Sequence, residues 1–266
     1  MFQSAEKRRY LSVKSVIKNV VVMAVFFVVV LAGSRAWAVV DIEGRYWFTD
    51  LNASAKVSSG GITGTDLDLA RDLGVDDKKG FFDGRITLEL GKHKIRYGFA
   101  PLQWSGTKTL SSSVTFNGQT YSASARVDTD VKLDYHRLGY EYDFIDTLDN
   151  RLGLIFEAKY FSGEARLTSS PLGLNENKTL RAPIPTIGVS GQVGLPFLFS
   201  VGGEVTGVTL GKRAYLYDAE AGVNIKPAPF VVISGGYRIF KLHIEDNDNK
   251  GDFTLKGPYV MLKADF

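Results

Sequence analysis

The feature that most constrains this chain is a two-residue alternation of apolar and polar side chains that recurs along most of its length. Successive side chains of a β-strand point to opposite faces, so such a pattern builds strands with one greasy and one polar face. Phe82, Ile86, Leu88 and Leu90 alternate with Asp83, Arg85, Thr87 and Glu89. Gly91-Lys92 follows as a two-residue turn, and then Ile95, Tyr97 and Phe99 alternate with Lys94, Arg96 and Gly98. That is a hairpin signal. Leu138 to Phe144, Leu152 to Tyr160, Ile187 to Leu195, Tyr215 to Ile225 and Val260 to Phe266 repeat it. The pattern predicts about ten strands, over 41–57, 80–90, 93–105, 126–144, 151–165, 182–195, 198–210, 214–226, 230–244 and 252–266.

The opening segment reads differently. Lys7, Arg8, Arg9, Lys14 and Lys18 precede an apolar run from Val20 to Ala32, and Ala36-Trp37-Ala38 supplies a small-x-small site. This is the layout of a secretory signal peptide over 1–38, cleaved after Ala38. The run is shorter than the roughly 20 residues a spanning helix needs. Removing it changes the charge balance. Residues 1–38 hold six of the 32 basic residues and one of the 29 acidic ones, which leaves 26 basic and 28 acidic groups over 39–266. Nothing in that balance suggests nucleic acid as a partner. The chain has no Cys, which fits an exported protein that does without disulfides.

Two architectures suit the alternation: a soluble sandwich and a closed membrane barrel. The connections decide between them. Short ones at 91–92, 145–150, 196–197 and 227–229 alternate with longer ones at 58–79, 106–125 and 166–181, and with modest ones at 211–213 and 245–251. Short turns at one end and longer loops at the other mark a bacterial outer-membrane barrel. Only closure leaves no unpaired backbone edge in hydrocarbon. Aromatic residues near strand ends (Tyr46 and Phe48, Phe99 and Trp104, Tyr142 and Phe144) fit interfacial girdles. The expected fold is therefore all-β: a closed antiparallel up-and-down transmembrane barrel over 39–266.

With that fold the polar faces line the lumen. The inward set is Arg45, Asp83, Arg85, Glu89, Lys94, Arg96, Arg137, Glu141, Glu157, Lys159, Glu204, Asp218, Glu220 and Arg238, with Glu43 beside them. About eight strands give an interior that side chains just fill. Charges of both signs in so narrow a space predict mutual neutralisation, not a water column. On that reading Glu89→Ala opens a leak by unpairing a basic neighbour.

Few residues carry a signal for chemistry. Asp128, Asp130, Asp134 and His136 share one strand face and are the best catalytic candidates. His93 falls at a turn and His243 near a loop, and no Ser-His-Asp order is evident. Asp246, Asn247, Asp248, Asn249 and Asp252 cluster in the last loop, but without the spacing of a calcium loop, so no metal or cofactor is expected. Asp66 and Gly74 bracket a short helix in the first long loop that could cover the mouth or fold inward. Phe116-Asn117-Gly118-Gln119 is a hairpin tip expected to extend the wall.

The leader, the alternation and the closing Phe266 together resemble small outer-membrane β-barrel proteins of Gram-negative bacteria. In those proteins a terminal aromatic is read by the barrel assembly machinery, so the resemblance implies that machinery, outer-membrane lipid and lipopolysaccharide as partners. The Asp-x-Asp and Asp-x-His pairs are also similar to those of the omptin proteases, ten-stranded barrels of the same membrane. Omptins carry their pairs on opposite walls, whereas both pairs here lie on one strand. The resulting expectation is a non-enzymatic barrel with a structural or surface-interaction role and at most a narrow polar lumen. The alternatives are a porin-like small-solute channel and an omptin-like or lipid-active hydrolase.

Overall fold

A computed structural model describes residues 38–147, 150–246 and 248–266. The segment read as a leader, apart from Ala38, lies outside the described residues. Ten long strands form the wall. They are β1 (Ala38–Lys56), β3 (Lys78–Leu90), β4 (His93–Thr109), β7 (Arg126–Asp146), β8 (Asn150–Ser169), β9 (Leu174–Gly194), β10 (Phe199–Thr209), β11 (Ala214–Ala228), β12 (Val231–Asp246) and β13 (Asn249–Asp265). Each pairs with the next, and β13 pairs back to β1, so the sheet closes into an antiparallel barrel. The seam is in register from Asp41 opposite Asp265 to Lys56 opposite Lys250. It runs on through Val40 and Phe266, which exchange two backbone bonds of 3.0 and 2.9 Å.

The alternation does what strand geometry requires. Along β8, Leu152, Phe156 and Tyr160 face outward and are exposed, whereas Ile155, Glu157, Lys159 and Phe161 face inward and are buried. The outward set repeats around the wall as an apolar band: Ile42, Ile86, Leu138, Ile187, Val205, Val223, Ile233 and Leu262. Tyr46, Phe48 and Phe82 pack edge to face on it, with centroids 4.7–4.8 Å apart. This is a surface suited to hydrocarbon. One end of the barrel carries tight turns: the hairpin at Gly91, where φ is 61°, and the connections after β7, β9 and β11. The other end carries the long excursions.

Those excursions depart from the sequence reading in four places. First, 166–181 is not a loop. β8 and β9 continue upward as a paired hairpin that turns only at a 3-10 segment, Ser170–Leu172. Its outward face is polar and its inward face packs only Ala165, Leu167 and Leu174 against the core, too short an apolar stripe to announce a strand. Second, the tip at Asn117-Gly118 does not extend the wall. Both residues have positive φ, 50° and 84°, as a tight turn of this hand requires, but β5 (Val114–Phe116) and β6 (Gln119–Tyr121) form their own two-stranded sheet. Val114, Phe116 and Tyr121 are buried, which holds that sheet across the mouth. Third, the short helix α1 (Leu69–Leu73) is capped by Asp68, which accepts from the Arg71 amide at 2.7 Å. Asp66 does not cap it, because Leu67 and Asp68 form a strand, β2, that pairs with β1. Gly74, at φ 68°, ends the helix as expected. Fourth, Trp104 is no girdle residue. It differs in parity from Phe99, faces inward, and is 0% exposed.

Candidate functional site: the filled lumen

All fourteen residues read as an inward charge set are placed inside the barrel, and every one has an oppositely charged neighbour. Nearest the turn end, Lys94 meets Asp143 at 2.8 Å and Glu89 at 3.4 Å, and Arg151 reaches Glu89 from the neighbouring wall at 3.4 Å. Lys263 bridges Asp41 and Asp265 at 3.1 and 2.9 Å. A layer further in, guanidinium groups meet carboxylates across the lumen. Arg45 donates twice to Glu220, at 2.6 and 2.9 Å. Arg85 donates to both oxygens of Glu204, at 3.1 and 3.0 Å, and Arg96 joins Glu141 to Glu204 at 2.6 and 2.8 Å. These are cross-barrel contacts between residues 108 to 175 positions apart, except for Arg96 with Glu141.

Asp218 anchors the top of the network. Arg238 grips both of its oxygens at 2.9 and 2.7 Å and reaches Asp83 at 3.1 Å. Tyr135 donates to it at 2.9 Å. Lys159 lies 3.5 Å from it, and is also in contact with Glu157 and the Tyr135 hydroxyl. Glycines on the inner wall make room for the crossing side chains. A Cβ at Gly236 would stand 2.6 Å from the Tyr259 hydroxyl, over whose ring the Arg45 guanidinium lies at 4.5 Å.

Above Asp218 the lumen changes character. The Tyr135 ring stacks on Phe161 at 4.8 Å, nearly parallel, and Phe240, Phe253, Trp104 and Phe81 continue the contact at 5.0–5.9 Å. Leu216 and Leu255 fill the gaps, and Leu67, Leu73, Val75 and the β5–β6 sheet lie over them. Tyr121 in that sheet donates to the Leu167 carbonyl at 2.9 Å. Burial and the nearby Glu176 carboxylate push its pKa up to about 12, so it remains a neutral donor. Among the paired charges, toward the turn end, a polar cavity of about 290 Å³ remains, lined in part by Asp41, Glu89, Arg96, Glu204, Gln192 and Lys263.

The sequence reading missed this apolar half. The signal was present: Tyr135 shares parity with Arg137, Phe161 with Lys159, Phe240 with Arg238, and Trp47 with Arg45. Following each polar face toward the loop end leads straight into aromatic residues. The catalytic candidates are not assembled into a site. Asp128, Asp130, Asp134 and His136 do share a face, but it is the outer one. Asp128 accepts from Thr107 at 2.6 Å, and His136 Nδ1 bonds the Tyr97 hydroxyl at 2.9 Å. His93 makes the same kind of pair with Tyr140 at 2.6 Å. His243 bonds Asp252 at 2.5 Å beside the loop end.

No protein-family profile and no curated protein sequence matches the chain. Among solved structures it is similar to the outer membrane protease OmpT of Escherichia coli, with TM-score 0.55 and 13% identity over 86% of this chain and 97% of that one. It also aligns with the attachment invasion locus protein Ail of Yersinia pestis (TM-score 0.34, 14% identity, 84% and 98% covered) and the toluene transporter TodX of Pseudomonas putida (0.35, 7%, 88% and 91%). At these identities the likeness to OmpT establishes the fold, that of a small outer-membrane β-barrel, and nothing of the chemistry.

Proposed function

We propose that this chain is a resident of the Gram-negative outer membrane that neither conducts nor catalyses, and that it acts through the surface it raises beyond the bilayer. The observation that carries this reading is the doubly filled lumen: paired charges below Asp218, and an aromatic and aliphatic plug above it. Ions crossing would have to break charge pairs and then enter a dry apolar layer, and each step is costly. Transport across the inner membrane would use the leader, with cleavage after Ala38. Phe266, held at the seam, would serve the assembly machinery. Lys241 and Lys256 face outward beyond the apolar band at the loop end, where anionic lipopolysaccharide headgroups would lie.

A hydrolase reading is disfavoured because Asp134 and His136 lie on the outer face of one strand, where their cross-strand neighbours among the described residues are Pro101, Ser162, Phe99 and Tyr160 and no carboxylate. Planar-bilayer recording of the purified protein tests the main proposal. It should show no discrete steps, and large, stable steps would overturn it in favour of a small-solute channel. Peptide or lipid hydrolysis that is lost on His136→Ala would overturn the non-enzymatic part.

A further inference from the structure

The wall is uneven. β9 pairs with β8 along nearly all of its 21 residues, but β10 has only 11 and meets β9 only between Ile187 and Gly194. From Leu174 to Thr186 no described strand pairs with the other edge of β9. Exposed strand edges carry unpaired amides and carbonyls and recruit further strands unless they are blunted. Here the blunting is partial. Pro183 and Pro185 sit nearest the barrel, and a proline within a sheet turns its nitrogen to the open side. Asn175, Asn177, Thr179 and Arg181 share their parity, so their amides face the same open edge.

The proline-free stretch reads Leu174-Asn175-Glu176-Asn177-Lys178-Thr179-Leu180. It is self-complementary about Asn177. In an antiparallel pair of two copies centred there, Leu174 faces Leu180, Asn175 faces Thr179 and Glu176 faces Lys178, each twice by symmetry. Lys178 is exposed and has no ion-pair partner among the described residues, and Leu180 is 48% exposed. Glu176 accepts from the Asn117 amide at 3.0 Å through one oxygen, which leaves the other free.

We infer that the free edge of β9 is a homotypic docking site, where a second copy of this chain adds its own β9 antiparallel about Asn177. Antiparallel pairing reverses the rise of the strand along the barrel axis. The two barrels therefore meet loop end to loop end, and the contact joins copies in apposed membranes. Seven residues a side make a small interface, weak singly and strengthened by many copies on each surface. The inference rests on the surface role proposed above.

Because the chain has no Cys, a single introduced thiol reports the register. The full protein in detergent, under mild oxidation, should give a disulfide dimer for Asn177→Cys, whose Cα atoms across the two-fold lie within disulfide range, about 5.5 Å. Asn175→Cys should give about tenfold less, because the same residue in the partner is four positions away, about 14 Å. Heat-modifiable migration confirms that both variants are folded. In proteoliposomes, Glu176→Lys or Lys178→Glu should abolish vesicle clustering, and the two together should restore it. Equal cross-linking of both thiols, cross-linking of neither, clustering indifferent to single reversals, or a double variant that does not recover would each overturn the pairing. Monomers that remain non-conducting would remove the homotypic site and leave the closed barrel standing.

Discussion

The two halves of the lumen solve one problem by opposite means. Toward the turn end, Arg85, Arg96, Glu204 and Glu220 fill space with charge and neutralise one another through several contacts each. Toward the loop end, Trp104, Phe161, Phe240 and Leu255 fill it with dry packing. The charged half is specified by pairwise geometry, so losing one partner unbalances the others. The apolar half is specified by volume, so losing one side chain leaves only a hole. Tyr135 belongs to both: its hydroxyl serves Asp218 and Lys159 while its ring stacks on Phe161.

Asp218→Ala should have the largest effect. It removes both close bonds of Arg238 and the acceptor of the Tyr135 hydroxyl in a buried layer, leaving Arg238 with Asp83 and Lys159 with Glu157, and should cost about 3–5 kcal/mol, read as a drop in the temperature of heat-modifiable gel migration. A loss below that of any single core truncation would erase the contrast. Leu216→Ala in the dry half should cost about 2–4 kcal/mol by opening a cavity while leaving the charge pairs intact. Gly236→Ala should cost about 1–3 kcal/mol, because the new methyl would press on Tyr259 and on the Ala221 carbonyl, 2.6 and 2.3 Å away. Glu89→Ala should cost about 1 kcal/mol or less, since Glu89 and Arg151 are 20% and 30% exposed and Lys94 keeps Asp143 at 2.8 Å. If the apolar plug stands in series with the charges, this last variant should not raise bilayer conductance. A lining of charges alone predicts a leak, so the sign of that one measurement separates the two accounts.

The sequence revealed the wall and the charged half because both rest on period two. Once Arg85 and Glu89 are on one face, the facing positions of every neighbouring strand follow. The plug was harder to see because it breaks the assumption that an inward face stays polar. Trp104 looks like an interfacial aromatic until its parity is counted. The tall β8–β9 hairpin was hidden for the opposite reason. Only Ala165, Leu167 and Leu174 of that segment turn in against the core, too short an apolar set to stand out beside Glu164, Arg166, Asn177 and Lys178, so its pairing reveals it. Asp134 and His136 share parity with Leu138 and Tyr140, so the alternation that sends Arg137 inward sends them outward. Arg137 beside them, buried and 3.8 Å from Asp218, settles it.

The seam has a consequence for how the molecule is made. Lys263 closes on Asp41 across 222 positions of chain, and every strand between them must be laid down before that ladder can form. Until then β1 and the growing edge are both unsatisfied, and contacts at such separation are slow to find. The intermediate is thus an open sheet with a greasy outer face, prone to stick to its own kind in water. A factor that shields the first edge and delivers the last strand to it would shorten the search without contributing any contact to the finished barrel.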